Sequence, residues 1–339
     1  MATVGTGPPL VRAAHWLSHV EYDARSPVWS PWLKELSREH TYIRYDQRGC
    51  GLSDRSPPTL SFDSWVGDLE AVVDAHRLQR FALLGMSQGG AIAIAYAARH
   101  PERVSQLVLF GAYGRGMLRR GHQNEEAETL VKLIRLGWGR DNPAFRQVFT
   151  SQFIPEGSRE QHQWFNDLER ISASPENAAA IVEATYHVDV GPLAETLRVP
   201  TLVFHARDDA RVPFEEGRHL AALIPGARFV PLDGRNHVLL EGEPAWRQFL
   251  EALRAFLPAG ENTARGRPLA ESAGLTASEQ AVLGLIGRGL DNRAIATALS
   301  KREKTVRNQV SSIFAKIGVT TRAQAVAWAR DAGIGEIDQ

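Results

Sequence analysis

The sequence predicts two folds in one chain, an α/β unit built on a mostly parallel sheet with helices on both faces and a small all-α unit of four helices. Three observations carry this. Short apolar runs alternate with helical patterns up to about residue 257. That rhythm breaks between 113 and about 195, where helical spacing and aromatics such as Trp138, Phe149, Phe153, Trp164 and Phe165 replace strands. After a stretch rich in Pro, Gly, Ala, Ser and charge at 258–274, short helical patterns follow one another with turn signals between them.

In order, the strands fall at 10–14, 41–45, 81–85, 106–110, 201–205 and 228–231. Each is too short for an ordinary helix, and turn residues flank most of them. Helical patterns at 61–76, 88–100 and 215–223 lie between them, which is the alternation of a parallel sheet covered on both faces. The insertion at 113–195 reads as a helical cap over the strand ends. Its aromatics are either core or pocket wall, and Trp138 and Trp164 are the pocket candidates. The stretch 258–274 reads as a linker, and 275–339 as the second domain.

A chain of 339 residues, 43% hydrophobic and 23% charged, has the composition of a globular protein with room for two domains. No run approaches the roughly 18 apolar residues needed to cross a bilayer. Residues 1–9 lack the basic start and apolar centre of a secretory signal. Cys50 is the only cysteine, so no intrachain disulfide can form. The expected location is the cytoplasm, with no membrane contact. The net charge is zero, but from Arg265 onward eleven basic residues face seven acidic ones, leaving +4 there and −4 in the body. A basic tail is a hint of nucleic-acid contact, since Lys and Arg neutralise phosphates.

The chemistry centres on Gly85-Met86-Ser87-Gln88-Gly89, between a strand and a helix. A sharp strand-to-helix turn strains the serine backbone and brings chain segments too close for side chains at the flanking positions, hence the glycines. The N–H of Gln88, at the helix start, can hold an oxyanion. Two partners follow in chain order. Asp209 comes after the strand at 201–205, with Asp208 as the alternative, because spacing cannot separate adjacent aspartates. His237 follows the strand at 228–231. His237 would take the proton of Ser87, and Asp209 would orient the imidazole. No cofactor and no metal is expected.

With these residues in place, 1–257 resembles the α/β-hydrolase fold superfamily. Asp46-Gln47-Arg48-Gly49-Cys50-Gly51-Leu52-Ser53-Asp54 is similar to its D-x-R-G-x-G-x-S loop, and the run from Ala97 to Val104 to the end of its post-elbow helix. Two departures stand out. The family usually has His-Gly just after its third strand, where a backbone N–H completes the oxyanion hole. Here the segment reads Ala14-His15-Trp16-Leu17-Ser18-His19, so Trp16 or Leu17 would supply that N–H. His15 and His19 either line the pocket or are buried structural histidines. The family also begins with an antiparallel strand pair, and only nine residues precede Leu10. Six strands are therefore expected, with an exposed sheet edge, or else the true start lies upstream.

In the tail, Thr276 and Glu279 form a capping box for a helix carrying Val282, Leu283, Leu285 and Ile286. A second helix is expected at 292–299, a turn at 300–303, a third helix from Lys304 or Thr305 to Ile317, and a fourth at 321–332. Lys304-Thr305-Val306-Arg307-Asn308-Gln309-Val310, and the run from Ile313 to Val319, closely resemble the LuxR-type helix-turn-helix. Gln309 stands where a histidine is usual. The resemblance implies double-stranded DNA as partner, with Arg307, Asn308 and Ser311 at base edges and Lys304, Thr305 and Lys316 on phosphates. Val306, Val310, Ile313 and Ile317 are core. Ala325, Val326, Trp328 and Ala329 offer an apolar face for a homodimer or for the domain's own core.

The joint expectation is a LuxR-type transcriptional regulator. Its hydrolase-fold domain senses, with or without cleavage, a small apolar ester or lactone. The alternatives are a working esterase with incidental regulation and a receptor that never hydrolyses its ligand.

Overall fold

A computed structural model of the chain describes residues 1–257, 275–299, 301–319 and 321–331. The chain divides into two compact units, Met1–Gly260 and Glu261–Gln339. The linker expected at 258–274 and the turn residue Ser300 lie outside the described residues.

The first unit is built on a seven-stranded sheet: β1 (Ala2–Val4), β2 (Pro9–Arg12), β3 (Thr41–Arg44), β4 (Phe81–Met86), β5 (Val104–Phe110), β6 (Thr201–Ala206) and β7 (Arg228–Leu232). Their order across the sheet is β1-β3-β2-β4-β5-β6-β7. All neighbours from β3 to β7 are parallel. Every residue of β4 and β6 is buried, as strands covered on both faces must be.

The count of six strands is corrected to seven. β1 pairs antiparallel with β3, with Thr3 opposite Ile43. Three residues are too few to show a strand period, so sequence patterning passes over them. What returns the chain is Gly5, at φ +82, where a Cβ would sit 2.2 Å from the Ser37 carbonyl oxygen. The edge expected on β3 is thus covered by β1.

The helices of this unit are α1 (Val20–Asp23), α2 (Ser30–Leu36), α3 (Phe62–Ala75), α4 (Gln88–Arg99), α5 (Asn124–Gly137), α6 (Ala144–Phe153), α7 (Arg159–Ser172), α8 (Pro175–Tyr186), α9 (Gly191–Thr196), α10 (Phe214–Leu223) and α11 (Pro244–Phe256). α4 is buried from Gln88 to Ala97 because its Gly and Ala residues let it lie close to the sheet. A Cβ on Gly90 would come within 2.3 Å of the Ala112 side chain. Helices α5 to α9 form the cap between β5 and β6. Buried Arg146 knits it together by donating to the carbonyls of Asn166, Trp138 and Arg140. Strand order reverses between β2 and β4, so the chain ends leaving these two strands flank a crevice, the usual ligand position in such sheets.

The second unit has α12 (Ala277–Gly287), α13 (Asn292–Ala298), α14 (Glu303–Ile317) and α15 (Arg322–Asp331). Thr276 and Glu279 cap α12 reciprocally. Asp291 caps α13 by accepting from the Ala294 N–H at 2.8 Å. α14 begins one residue before Lys304 and stops at Gly318, at φ +68, a position glycine tolerates best. Val306, Val310 and Ile313 are buried, with Ile317 packed against them. Ala325 and Ala329 are buried in this same core, and Val326 and Trp328 pack on it. The face considered for a dimer is therefore used inside the unit.

Candidate active site and nucleic-acid interface

Ser87 sits at the tip of β4, ahead of α4, with φ +49 and ψ −121. Such a conformation costs about 1–3 kcal/mol for a residue with a side chain and persists only where its surroundings enforce it. The Ser87 N–H donates to the Phe110 carbonyl at 2.9 Å, which pins the turn to β5. The glycines answer the expected crowding. A Cβ on Gly85 would lie 2.7 Å from the Gly90 Cα, and one on Gly89 2.8 Å from the Ala14 carbonyl oxygen.

His237 follows β7, and its Nδ1–H donates to Asp209 Oδ2 at 2.8 Å. Both side chains are almost fully buried. Asp209 Oδ1 accepts from the N–H groups of Arg211 and Val212 at 2.8 and 2.9 Å. Burial pushes the Asp209 carboxyl up, but His237, His205 and the Val212 N–H outweigh it and hold the group below its ordinary value. Of the two adjacent aspartates, Asp209 meets the histidine and Asp208 is exposed. The His237 loop is tied down on both sides. Asn236 Oδ1 accepts from the Glu156 N–H, and the Val238 N–H donates to the carbonyl of Phe153 at the end of α6.

Ser87 and His237 line one narrow cavity with His15, Trp16, Leu17, Trp29, Met86, Phe110, Phe153, Phe165 and Val238. Its empty volume, with its opening to solvent included, is about 350 Å³. Its lining residues are apolar or aromatic except Ser87, His237 and His15. His15 is therefore on the cavity. Its Nδ1–H donates to the Trp16 carbonyl at 2.9 Å, and its ring stacks on Trp29. Burial, then the nearby Arg12 charge, holds it well below the ordinary histidine range.

Three other pocket candidates stand elsewhere. His19 caps α1 by accepting from the Tyr22 N–H at 3.3 Å. Trp164 stacks on Tyr22 at the cap surface. Trp138 is buried behind Trp16, edge to face, with its indole N–H on the Glu169 carbonyl. Their ring chemistry suited a pocket, but helix capping and cap packing use them instead. The wall residues that sequence reading passed over are Trp29, Met86, Phe110 and Val238, whereas Phe153 and Phe165 stood among the cap aromatics read as core or pocket wall. Met86 and Val238 adjoin Ser87 and His237 in sequence, which was a usable signal.

On the oxyanion side, Gln88 opens α4, whose first-turn N–H groups have no partner within the helix. Opposite it, Trp16 and Leu17 occupy the turn after β2. Leu17 holds φ +38, a left-handed conformation rare for a leucine. Without the usual glycine, the turn is still made, at the cost of strain in Leu17.

Gly111 and His205 were not foreseen. Gly111 has φ +53, and a Cβ there would lie 2.9 Å from His237 Cε1. His205, fully buried on β6, donates from Nε2 to the Val212 carbonyl and comes within 3.5 Å of Asp209 Oδ2. It braces the loop that carries the acid. Among the described residues no cluster of three His, Cys, Asp or Glu side chains is arranged to hold a metal ion.

In the second unit Lys304, Thr305, Arg307, Asn308 and Ser311 all stand exposed on α14. Arg307 pairs with Glu303 at 3.1 Å. Lys316 departs from expectation. Its Nζ lies 2.7 Å from Glu279 Oε2, an internal tie between α14 and α12. Gln309 likewise turns inward, bonding Ser278 and Lys301.

Residues 24–244 match the alpha/beta hydrolase fold family, and the chain belongs to it. Residues 273–329 match the bacterial regulatory proteins of the luxR family. The chain is thus a regulator with a hydrolase-like domain. It is 29% identical to an AB hydrolase superfamily protein, YisY, of Bacillus subtilis over 69% of this chain and 86% of that protein. It is 28% identical to a pyrrolizixenacetamide deacetylase of Xenorhabdus hominickii, over 75% and 92%. Among solved structures, an esterase from Exiguobacterium antarcticum is similar with TM-score 0.62 and 25% identity, covering 75% of this chain and 93% of that one. No helix among the described residues is long and apolar enough to cross a membrane.

Proposed function

We propose that this chain is a cytoplasmic DNA-binding regulator whose hydrolase-fold unit admits a small apolar ester or lactone and cleaves it at Ser87. The observation that carries the reading is the 2.8 Å His237–Asp209 hydrogen bond at a narrow, mostly apolar cavity that Ser87 also lines. In this reading the other ring nitrogen of His237 takes the proton of Ser87 as its oxygen attacks the ester carbonyl. The N–H groups of Gln88 and of the Trp16–Leu17 turn receive the oxyanion. The alcohol leaves with the proton from His237, and water then releases the acyl group. The similar proteins include an esterase and a deacetylase, both acyl hydrolases by name, which agrees.

The full chain is expected to hydrolyse p-nitrophenyl butyrate, and Ser87→Ala to lower kcat by about 10⁴-fold or more. Equal rates for the two proteins would sink the hydrolytic reading. A second reading, a receptor that binds without cleaving, is favoured by Trp16 in the place of the oxyanion-turn glycine and by the strained Leu17. It requires ligand-dependent DNA binding to survive Ser87→Ala, and an acyl adduct on Ser87 in mass spectra contradicts it.

For DNA, the exposed residues of α14 from Lys304 to Ser311 are the reading surface, with Arg307 and Asn308 at base edges and Lys304 and Thr305 on phosphates. Lys316 is left to its bond with Glu279.

A further inference from the structure

Three buried polar atoms belonging to residues that line the cavity have no hydrogen-bond partner within the protein. They are Nε2 of His15 and the indole Nε1 atoms of Trp16 and Trp29. All three residues are more than nine-tenths buried, with His15 only 5% exposed. A buried polar atom left unpaired costs about 1–3 kcal/mol, so a ligand that reaches these atoms and pairs them recovers that cost.

The state of His15 is fixed by its other nitrogen. Nδ1 faces the Trp16 carbonyl, which can only accept, so Nδ1 carries the proton. Burial, the Arg12 guanidinium and His237 all oppose a second proton on the ring. Nε2 is therefore a bare lone pair, an acceptor awaiting a donor. The two indoles are the reverse, donors awaiting an acceptor. An amide N–H can satisfy only the histidine, and an ether or ketone only the indoles. A hydroxyl does both with one atom.

We propose that the cavity is a hydroxy-ester site, in which a hydroxyl on the acyl part of the ligand donates to His15 Nε2 and accepts from an indole N–H. This rests on the reading of the cavity as an ester pocket, and it sharpens that reading. The apolar walls around Ser87 select short acyl chains. The His15 wall selects among them those that carry an alcohol, because an unsubstituted chain leaves the lone pair of Nε2 unsatisfied. Sites built to hydrogen-bond a hydroxyl discriminate strongly against the analogue lacking it for that reason. His15 here is a specificity residue. It takes no part in proton transfer at Ser87.

The test uses the full chain with Ser87→Ala, so that binding is read without turnover. Methyl butyrate and its 2-, 3- and 4-hydroxy derivatives are titrated against tryptophan fluorescence, to which Trp16 and Trp29 report directly. At least one hydroxy ester is expected to bind about tenfold more tightly than methyl butyrate, the worth of one satisfied buried hydrogen bond. Adding His15→Phe should erase that preference, whatever it does to the affinity for methyl butyrate itself. His15→Gln, which can return an acceptor near Nε2, should keep part of it. If His15→Phe fails to fold, the ester series and His15→Gln still decide.

Binding of all four esters with equal affinity overturns the hydroxyl site, leaving a plain ester pocket whose Nε2 meets only water. A preference that survives His15→Phe overturns it as well. Binding of none of the four overturns the ester-pocket reading and the hydroxyl site with it. A hydroxyl preference in the Ser87→Ala protein with no hydrolysis by the native chain supports the site and rejects only the cleavage step.

Discussion

At the residue scale the position of His237 is constrained by Gly111, which follows β5 and carries no functional group. Its φ of +53 and a Cβ position 2.9 Å from His237 Cε1 leave no room for a side chain. Gly111→Ala is expected to cost about 1–3 kcal/mol of stability from the left-handed conformation alone. The new methyl must also push the His237 ring away. A shift of about 1 Å in a catalytic group typically costs about 10²-fold, so kcat/KM for p-nitrophenyl butyrate should fall by that order while the protein still melts cooperatively. Unchanged kcat/KM, with the expected loss in melting temperature, would show that His237 is not the working base. Ser87, Asp209 and His237 were legible in the sequence because each follows a recognisable strand, in order. Gly111 was not, because its partner lies 126 residues away and only the fold joins them. The same holds for His205, whose contact with Asp209 depends on the bend after β6. His19 failed in the opposite sense. Its chemistry was readable, but the start of α1 at Val20 uses its ring as a cap.

Among the elements, the helices of the second unit show how far local signals reach. Thr276 and Glu279 announce the start of α12, and the capping box is present. The same Glu279 has a larger role that spacing could not show. It also receives Lys316 and Ser312 from the far end of α14, locking that helix against α12. The hydrogen bond from Lys316, then the capping N–H of Thr276 and the Ser312 hydroxyl, draw its pKa from an ordinary 4.5 to about 2. A carboxyl whose pKa is depressed in the folded state contributes stability that is complete above the unfolded value and lost as pH falls through the folded one. Its share should thus be intact above about 4.5 and vanish toward pH 2. Glu279→Gln keeps an acceptor for the cap but loses the charge. A part-exposed ion pair with hydrogen bonds is worth about 1 kcal/mol, so hydrogen exchange across α12 and α14 should quicken severalfold at pH 7. The gap between the two proteins should close as pH falls from about 4.5 toward 2. A gap that stays constant over this range would mean that the charge of Glu279 does not hold α14. β1 gives the complementary lesson. Its three residues carried no period, and only the turn at Gly5 and the exposed flank of β3 make them a strand.

For the whole molecule, the charge imbalance and the cavity pose one question, whether occupancy at Ser87 alters the grip on DNA. The stretch from Arg265 onward is +4 and the body −4, so a duplex is attracted to one end of the chain and repelled by the other. Phosphate contacts should dominate that attraction. Each phosphate neutralised steepens the salt dependence of log K by about one. Lys304→Ala should accordingly reduce the slope by about one on any duplex, whereas Arg307→Ala should lose preference for one sequence. Coupling between the units is then measurable without knowing their arrangement. If a hydroxy ester changes DNA affinity of the Ser87→Ala protein by some factor, linkage requires DNA to change ester affinity by the same factor. Regulators typically show factors of about 5–150. The experiment titrates the ester by tryptophan fluorescence with and without saturating duplex from upstream of the chain's own gene. The reverse arm titrates the duplex by anisotropy with and without ester. Matching factors away from one establish a sensor. Factors of one in both arms, with ester and DNA each bound, would make the hydrolase-like unit and the DNA-binding unit independent tenants of one chain. Unequal factors would mean that one titration was not at equilibrium, since no allosteric scheme permits them.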